Sequence, residues 1–189
     1  MRSQTIIAGV GGQGVLFTTK VFIEMARCKA MPVLGSQTFG MAQRGGSVMT
    51  HLKIGDFNGP LIGEGDADLL LGLDIVEAHR TLPYLRSKRN GSAAVCVVNA
   101  PNAQAFPDHR LAALLEEMQV SLHSCDADAM ALSIHSPMMA NLVLLGFGAS
   151  HSDFPFTYAE VVNATEALSG AAQRSANLDA LERGRSLKS

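Results

Sequence analysis

Two glycine-bearing stretches hold the residues best suited to chemistry. The first, Gly9-Val10-Gly11-Gly12-Gln13-Gly14, ends the apolar run Gln4–Val10 and opens a helical pattern. A strand, a tight glycine turn and a helix start make an anion site. The turn exposes backbone N–H groups, and the helix N-terminus adds roughly half a positive charge. Gly9, Gly11 and Gly14 match G-x-G-x-x-G. The second stretch, Gly40-Met41-Ala42-Gln43-Arg44-Gly45-Gly46, sets one cation among small residues. A guanidinium there can form a bidentate pair with a phosphate or a carboxylate.

The two stretches lie about one βαβ unit apart and read as a single site. Its binding candidates are Gly9, Gly11, Gly12, Gln13, Gly14, Gly40, Gln43, Arg44, Gly45 and Gly46. The expected working edge is Gly11, Gly12, Gln13 and Arg44. The Gln13 amide both donates and accepts, so a neighbouring loop, a ligand or a partner chain could satisfy it. Plainer readings stand beside these. The glycines could serve only close helix–strand packing, and Arg44 could form a structural ion pair.

Several chemistries are disfavoured or excluded. An NAD site wants an acid about 20 residues past the glycine loop, at the end of the second strand. That strand ends Val33-Leu34-Gly35-Ser36-Gln37, without an acid. Arg44 keeps a phosphate-bearing ligand such as NADP or coenzyme A open. No Gly-Lys-Ser/Thr follows the glycines, so there is no Walker A loop. His51, His79, His109, His123, His135 and His151 are scattered without metal-ligand spacing, and no G-x-S-x-G occurs. Cys28, Cys96 and Cys125 read as reduced structural thiols, one short of the four thiolates that a cysteine-ligated iron–sulfur cluster requires. The acidic turn Glu64–Asp68 reads as a cap and solubility feature. No residue is assigned a catalytic or metal-binding role.

Alternating strand and helix signals position these loops. Thr5–Val10, Asp68–Leu73 and Ala93–Asn99 are continuous apolar runs of buried-strand length. Pro32–Leu34 and Val120–Ser124 are shorter strands. Ser47–Ile54 alternates, with Val48, Thr50, Leu52 and Ile54 on one face. Residues 35–46 read as loop. Val15, Thr19, Phe22, Ile23 and Ala26 recur at helical spacing. Helices are further expected from Asp74 to about Tyr84, over Asp108–Gln119, Asp126–Ile134 and Tyr158–Leu168, and over Met138–Ala149, whose apolar residues run nearly all round. The tail from about Ala171 reads as a surface helix that frays. The expected fold is a three-layer α/β/α sandwich with a mostly parallel, mixed sheet and a Rossmann-like start, forming a single domain over 1–189.

Of the 189 residues, 47% are hydrophobic and only 17% charged, with nine Met and no Trp. So little charge means either a surface rich in apolar Ala, Gly and Met or one partly covered by a partner. The net charge of −2, without a basic stripe, argues against nucleic acid and anionic membranes. No apolar run approaches the roughly 18 residues of a membrane span, and the N-terminus does not resemble a signal peptide, so a cytoplasmic location is expected.

Taken together, G-V-G-G-Q-G at Gly9–Gly14 and G-M-A-Q-R-G-G at Gly40–Gly46, followed by Ser47-Val48, resemble the gamma-type domain of 2-oxoacid:ferredoxin oxidoreductases. The likeness extends to the indolepyruvate ferredoxin oxidoreductase beta subunit. It continues through Pro60–Ile62, Asp68–Gly72, Asn141–Gly146 and Phe154–Phe156. The resemblance implies an accessory, non-redox subunit in an oxidative decarboxylation that turns a 2-oxoacid, coenzyme A and oxidised ferredoxin into acyl-CoA, CO2 and reduced ferredoxin. Thiamine diphosphate and the iron–sulfur clusters would sit in partner subunits. The partners would be the thiamine-binding catalytic subunit and, indirectly, ferredoxin, with a homodimer open for the isolated chain. Family members often carry an acid and a histidine before the second loop, where this chain has Gln37 and Phe39. The competing readings are a stand-alone NADP(H)-binding oxidoreductase and a nucleotide-binding interaction module.

Overall fold

The computed structural model describes residues 2–39, 45–106 and 108–187. Its centre is β1 (Ser3–Val10), which enters the glycine loop directly and continues into α1 (Val15–Cys28). The sheet also contains β2 (Val33–Phe39), β3 (Ser47–Ile54), β4 (Leu69–Gly72), β5 (Val95–Asn99) and β6 (Ser121–Cys125), in the order β2-β3-β1-β4-β5-β6. Strands β1, β4, β5 and β6 pair in parallel. β3 runs antiparallel to both β1 and β2, so it alone is reversed.

The expected mixed, mostly parallel sheet is therefore present, but the Rossmann-like start ends at α1. In a dinucleotide fold the second strand lies in parallel beside the first. Here β3 takes that place, along the whole of β1 from Ser3↔Ile54 to Val10↔Ser47. β2 is displaced to the sheet edge and runs to Phe39, well past the expected end at Leu34. The polar stretch Gly35-Ser36-Gln37-Thr38 reads as loop because an edge strand pairs on one side only and needs no continuous apolar run.

The pleat separates two cores. Ile7, Leu69, Leu71, Val95 and Val97 face one side, and Ile6, Ala8, Leu70, Cys96 and Val98 the other. On the first side lie α1, α4 (Ala127–Ser133), α5 (Ala140–Ala149), α6 (Tyr158–Leu168) and α7 (Arg174–Ser186). There Phe22 meets Phe156 edge-on, with ring centroids 5.7 Å apart. On the second side lie α2 (Ile75–Thr81) and α3 (His109–Glu117). A 3-10 turn over Leu82–Tyr84 ends the helix expected from Asp74. Local chemistry sets the helix starts. Asp74 accepts from the N–H groups of Val76 and Glu77, and Thr157 and Glu160 form a reciprocal capping box at α6. Ile23, expected on the buried face of α1, is instead exposed, and Met25 and Val21 are buried.

Two expectations need correction. The C-terminal helix is not a fraying surface element. Ala180, Leu181 and Gly184 of α7 are buried against α5. A Cβ on Gly184 would lie 1.9 Å from the Val143 carbonyl oxygen, and one on Gly146 would lie 2.1 Å from that of Leu181. Only paired glycines allow so close a crossing, and the polar composition of α7 masks its narrow packing stripe. The acidic turn is also more than a solubility feature. Asp68 accepts from Arg86 Nε at 2.6 Å and from the Gln4 N–H at 2.9 Å, while the same guanidinium donates to the Ser92 carbonyl. This buried arginine ties β1, β4 and the lead-in to β5 together at the sheet end opposite the glycine loop.

His51 is buried on β3. Its Nδ1 accepts the Ile62 N–H at 3.2 Å, and its ring meets Tyr84 edge-on. Burial, with Lys53 nearby, pulls its pKa below the usual histidine value. The unfolded chain therefore binds this proton more readily, and the contribution is complete above a pH of about 6.5 and lost as pH falls through the folded value. The denaturation midpoint of the wild type should drop between neutral and mildly acidic pH, and His51→Gln should flatten that dependence. Gly184→Ala should destabilise the fold by about 3 kcal/mol in denaturant titration, at the upper end of overpacking effects.

Candidate functional site

The glycine loop is a closed device. Gln13 turns back so that its Oε1 accepts the Val10 N–H at 2.8 Å, and its own N–H donates to the Val10 carbonyl at 3.0 Å. Gly12 has φ 104° and Gly14 φ 83°, a left-handed conformation that favours glycine. Gly14 also allows close approach, since a Cβ there would lie 2.5 Å from Asn141 Nδ2. At Gly9 a Cβ would press at 3.0 Å on Gln13, Leu73 and Val15 together. Among the described residues no side chain caps α1, whose N-cap is Gly14.

The two glycine stretches meet. Gly11 N–H donates to the Gly46 carbonyl at 2.9 Å, and Gly45, with φ 73°, turns the chain into β3. This contact follows from the sheet order, because β3 starts where β1 ends. Ser47 anchors the junction by donating to Glu77 Oε2 at 2.6 Å, and the other oxygen of this buried carboxylate takes Arg80 at 2.7 Å.

Gly9, Gly11, Gly12, Gln13, Gly14, Gly45 and Gly46 are thus brought together as expected. Gly40, Gln43 and Arg44 lie outside the described residues. The roles inside the loop differ from a bare anion cradle. The Gly11 amide is committed to Gly46, the Gln13 amide to Val10, and the Gln13 side chain to the loop itself. Gln13 is the loop's internal brace. Gly11 and Gly12 remain exposed.

Two residues given no site role in the sequence complete the site. Asn141, buried at the start of α5, points Nδ2 at the Gly14 carbonyl (3.5 Å) and Thr18 Oγ1 (3.3 Å). Asn99, at the end of β5, donates from Nδ2 to the Leu73 carbonyl at 3.2 Å and to Asp128 Oδ2 at 2.9 Å, and accepts the Ala127 N–H. Gly12, Gln13, Leu73, Asn99, Asp128, Pro137, Met138, Ala140 and Asn141 line a notch of about 150 Å³. It opens beside the carboxyl ends of β1, β4 and β5, where open α/β sheets place their ligands. The signal for Asn99 and Asn141 was a polar residue at the rim of an otherwise apolar segment.

Away from this notch, His123 Nε2 lies 2.9 Å from Asp153 Oδ2 and its ring stacks on His151 with centroids 3.8 Å apart, beside a cleft of about 640 Å³. Cys96 and Cys125 are buried, which raises the Cys96 thiol and pushes Cys125 up to about 12, so both stay protonated. No group of three or more His, Cys, Asp or Glu side chains among the described residues is arranged to hold a metal. Among those residues, no helix is long and apolar enough to cross a membrane.

The model of the pyruvate ferredoxin/flavodoxin oxidoreductase family matches residues 4–187. The indolepyruvate oxidoreductase subunit IorB of Methanothermobacter thermautotrophicus is 34% identical over 160 residues, covering 82% of this chain and 82% of the relative. The keto/oxoacid ferredoxin oxidoreductase gamma subunit of Geobacter sulfurreducens has a similar fold, with TM-score 0.71 and 18% identity over 97% of this chain and 96% of that one. The 2-oxoglutarate:ferredoxin oxidoreductase of Magnetococcus marinus, solved with 2-oxoglutarate, coenzyme A and succinyl-CoA bound, contains a similar fold as 31% of its chain. There the TM-score is 0.69, with 19% identity over 98% of this chain.

Removing the internal brace should loosen the loop without unfolding the sheet. Gln13→Ala leaves the Val10 N–H without its acceptor, at a cost of about 1–3 kcal/mol. Amide exchange at Val10–Gly12 should accelerate, and Gln13→Glu, which keeps an acceptor, should restore most of the protection. Unchanged exchange in Gln13→Ala would show that the brace does not hold the loop.

Proposed function

The chain belongs to the pyruvate ferredoxin/flavodoxin oxidoreductase family, and from that premise we propose that it is the non-redox accessory subunit of a thiamine-diphosphate-dependent 2-oxoacid:ferredoxin oxidoreductase. The observation that carries this reading is the two-loop edge. Gly11 and Gly46 clip two glycine loops into one exposed rim at the carboxyl ends of the central strands. Such a rim is a backbone surface with little side-chain relief, suited to close approach by another chain or by a ligand that chain holds.

The complex would convert a 2-oxoacid, coenzyme A and oxidised ferredoxin into acyl-CoA, CO2 and reduced ferredoxin. Thiamine diphosphate supplies the carbanion chemistry in the catalytic partner, and iron–sulfur clusters there carry the electrons. The residues of this chain fit a supporting part. Its two interior thiols are held protonated by burial, which does not suit cluster ligation. The notch beside the glycine loop is far below the roughly 300 Å³ at which ligand-sized pockets begin, and a carboxylate lines it. A coenzyme A phosphate is therefore a poor fit to the notch, and Arg44 is the residue proposed to meet one. In this reading Gly11 and Gly12 are the contact edge, Gln13 and Asn141 hold that edge in shape, and indolepyruvate-type acids are the substrates to test first.

The purified chain with a 2-oxoacid, coenzyme A and ferredoxin should give no ferredoxin reduction. Adding it to a preparation of the thiamine-binding subunit that lacks it should bring coenzyme A-dependent reduction. Turnover by the single chain would overturn the reading, as would a catalytic subunit whose rate is indifferent to its presence.

A further inference from the structure

Resting on that reading, we propose that the notch between the glycine loop and the Pro137–Met138 turn receives a lysine or arginine side chain from the thiamine-binding subunit, with Asp128 as its counter-ion. The notch volume of about 150 Å³ suits the head of one side chain, since a water molecule's share of liquid volume is about 30 Å³. Asp128 contributes the only charged side chain among its described lining residues.

That carboxylate is held in place. Asn99 donates to one of its oxygens at 2.9 Å while its own carbonyl oxygen is fixed by the Ala127 N–H at 2.9 Å. The bracing amide is in turn anchored on the Leu73 carbonyl. Asp126 strengthens the negative field from the same turn. Its two oxygens are spent capping, on the N–H groups of Ala129 and Asn102, so its charge adds without competing for a partner.

The lip of the notch is apolar. Pro137 and Met138 form it, and Met138 is 77% exposed. An apolar lip over a braced carboxylate complements a residue with an aliphatic stem and a cationic head, the shape that lysine and arginine share. Docking would withdraw Asp128 from solvent, turning an exposed charge into an interfacial pair. Such a pair carries far more specificity than one left in water.

The test uses the chain and its thiamine-binding subunit purified separately. Association is measured by titration calorimetry for the wild type, Asp128→Asn and Asp128→Lys. Asp128→Asn keeps an oxygen for Asn99 and removes only the charge, and Asp128 is exposed, so the fold should stand, as a melting curve will verify. We expect Asp128→Asn to weaken association about tenfold or more, Asp128→Lys to weaken it further, and both to lose part of the salt dependence of the wild type. If the wild type associates and Asp128→Asn binds equally well, the inference falls and the functional reading stands. If the substitutions disturb only self-association of this chain, the occupant is a second copy and the inference also falls. If the wild type does not associate with the thiamine-binding subunit, the functional reading falls, and the inference with it.

Discussion

The placement of one reversed strand governs the site. β3 lies along β1 in the position that a parallel second strand would otherwise take. Because the two are antiparallel, β3 must begin where β1 ends, and the second glycine stretch is delivered onto the first. The Gly11–Gly46 hydrogen bond is the local expression of that constraint. In the parallel alternative the second strand would also end beside the glycine loop, but it would bring an acid for a ribose rather than a second loop. The same short sequence pattern, G-x-G-x-x-G after a strand, thus leads to two different sites depending on which strand becomes the neighbour.

The loop's own hydrogen bonds follow from this arrangement. A phosphate cradle keeps its N–H groups pointed outward and unpaired. Here the Gly11 amide is tied to Gly46 and the Val10 amide to the Gln13 side chain. What is offered outward is shape: two left-handed glycines, an exposed rim and a small notch with a braced carboxylate. Rigid, glycine-built backbone of this kind suits packing against another chain. The low overall charge, the exposed Met138 and Leu16, and the glycine-tight α5–α7 crossing on the buried side agree with a body built to be held on one face.

Much of this was legible in the sequence where the determinants are local. The strand–loop–helix start, the buried central strands, the aspartate cap at Asp74 and the largely buried α5 are each written within a few residues. The pairing of the two loops was also legible, from their spacing of about one βαβ unit, and the family resemblance rests on the same two stretches. What escaped depends on residues far apart. β2 continues to Phe39 because β3 pairs with it, and α7 is buried because Gly184 packs on the Val143 carbonyl and Leu181 on Gly146, in a helix about forty positions earlier. Gln13 looked like a group reaching outward, whereas its acceptor role is internal and depends on the tightness of the turn. Asn141 supports the loop from 127 positions away, a distance that no local pattern encodes.

The account stands on the clipped glycine rim being the surface that meets the catalytic subunit. Amide hydrogen exchange across residues 11–17, followed with and without the purified thiamine-binding subunit, measures this directly. The account predicts marked slowing at Gly11, Gly12 and the first turn of α1 on complex formation, with little change on the far side of α6. A complex that forms while residues 11–17 exchange as fast as in the free chain would contradict it.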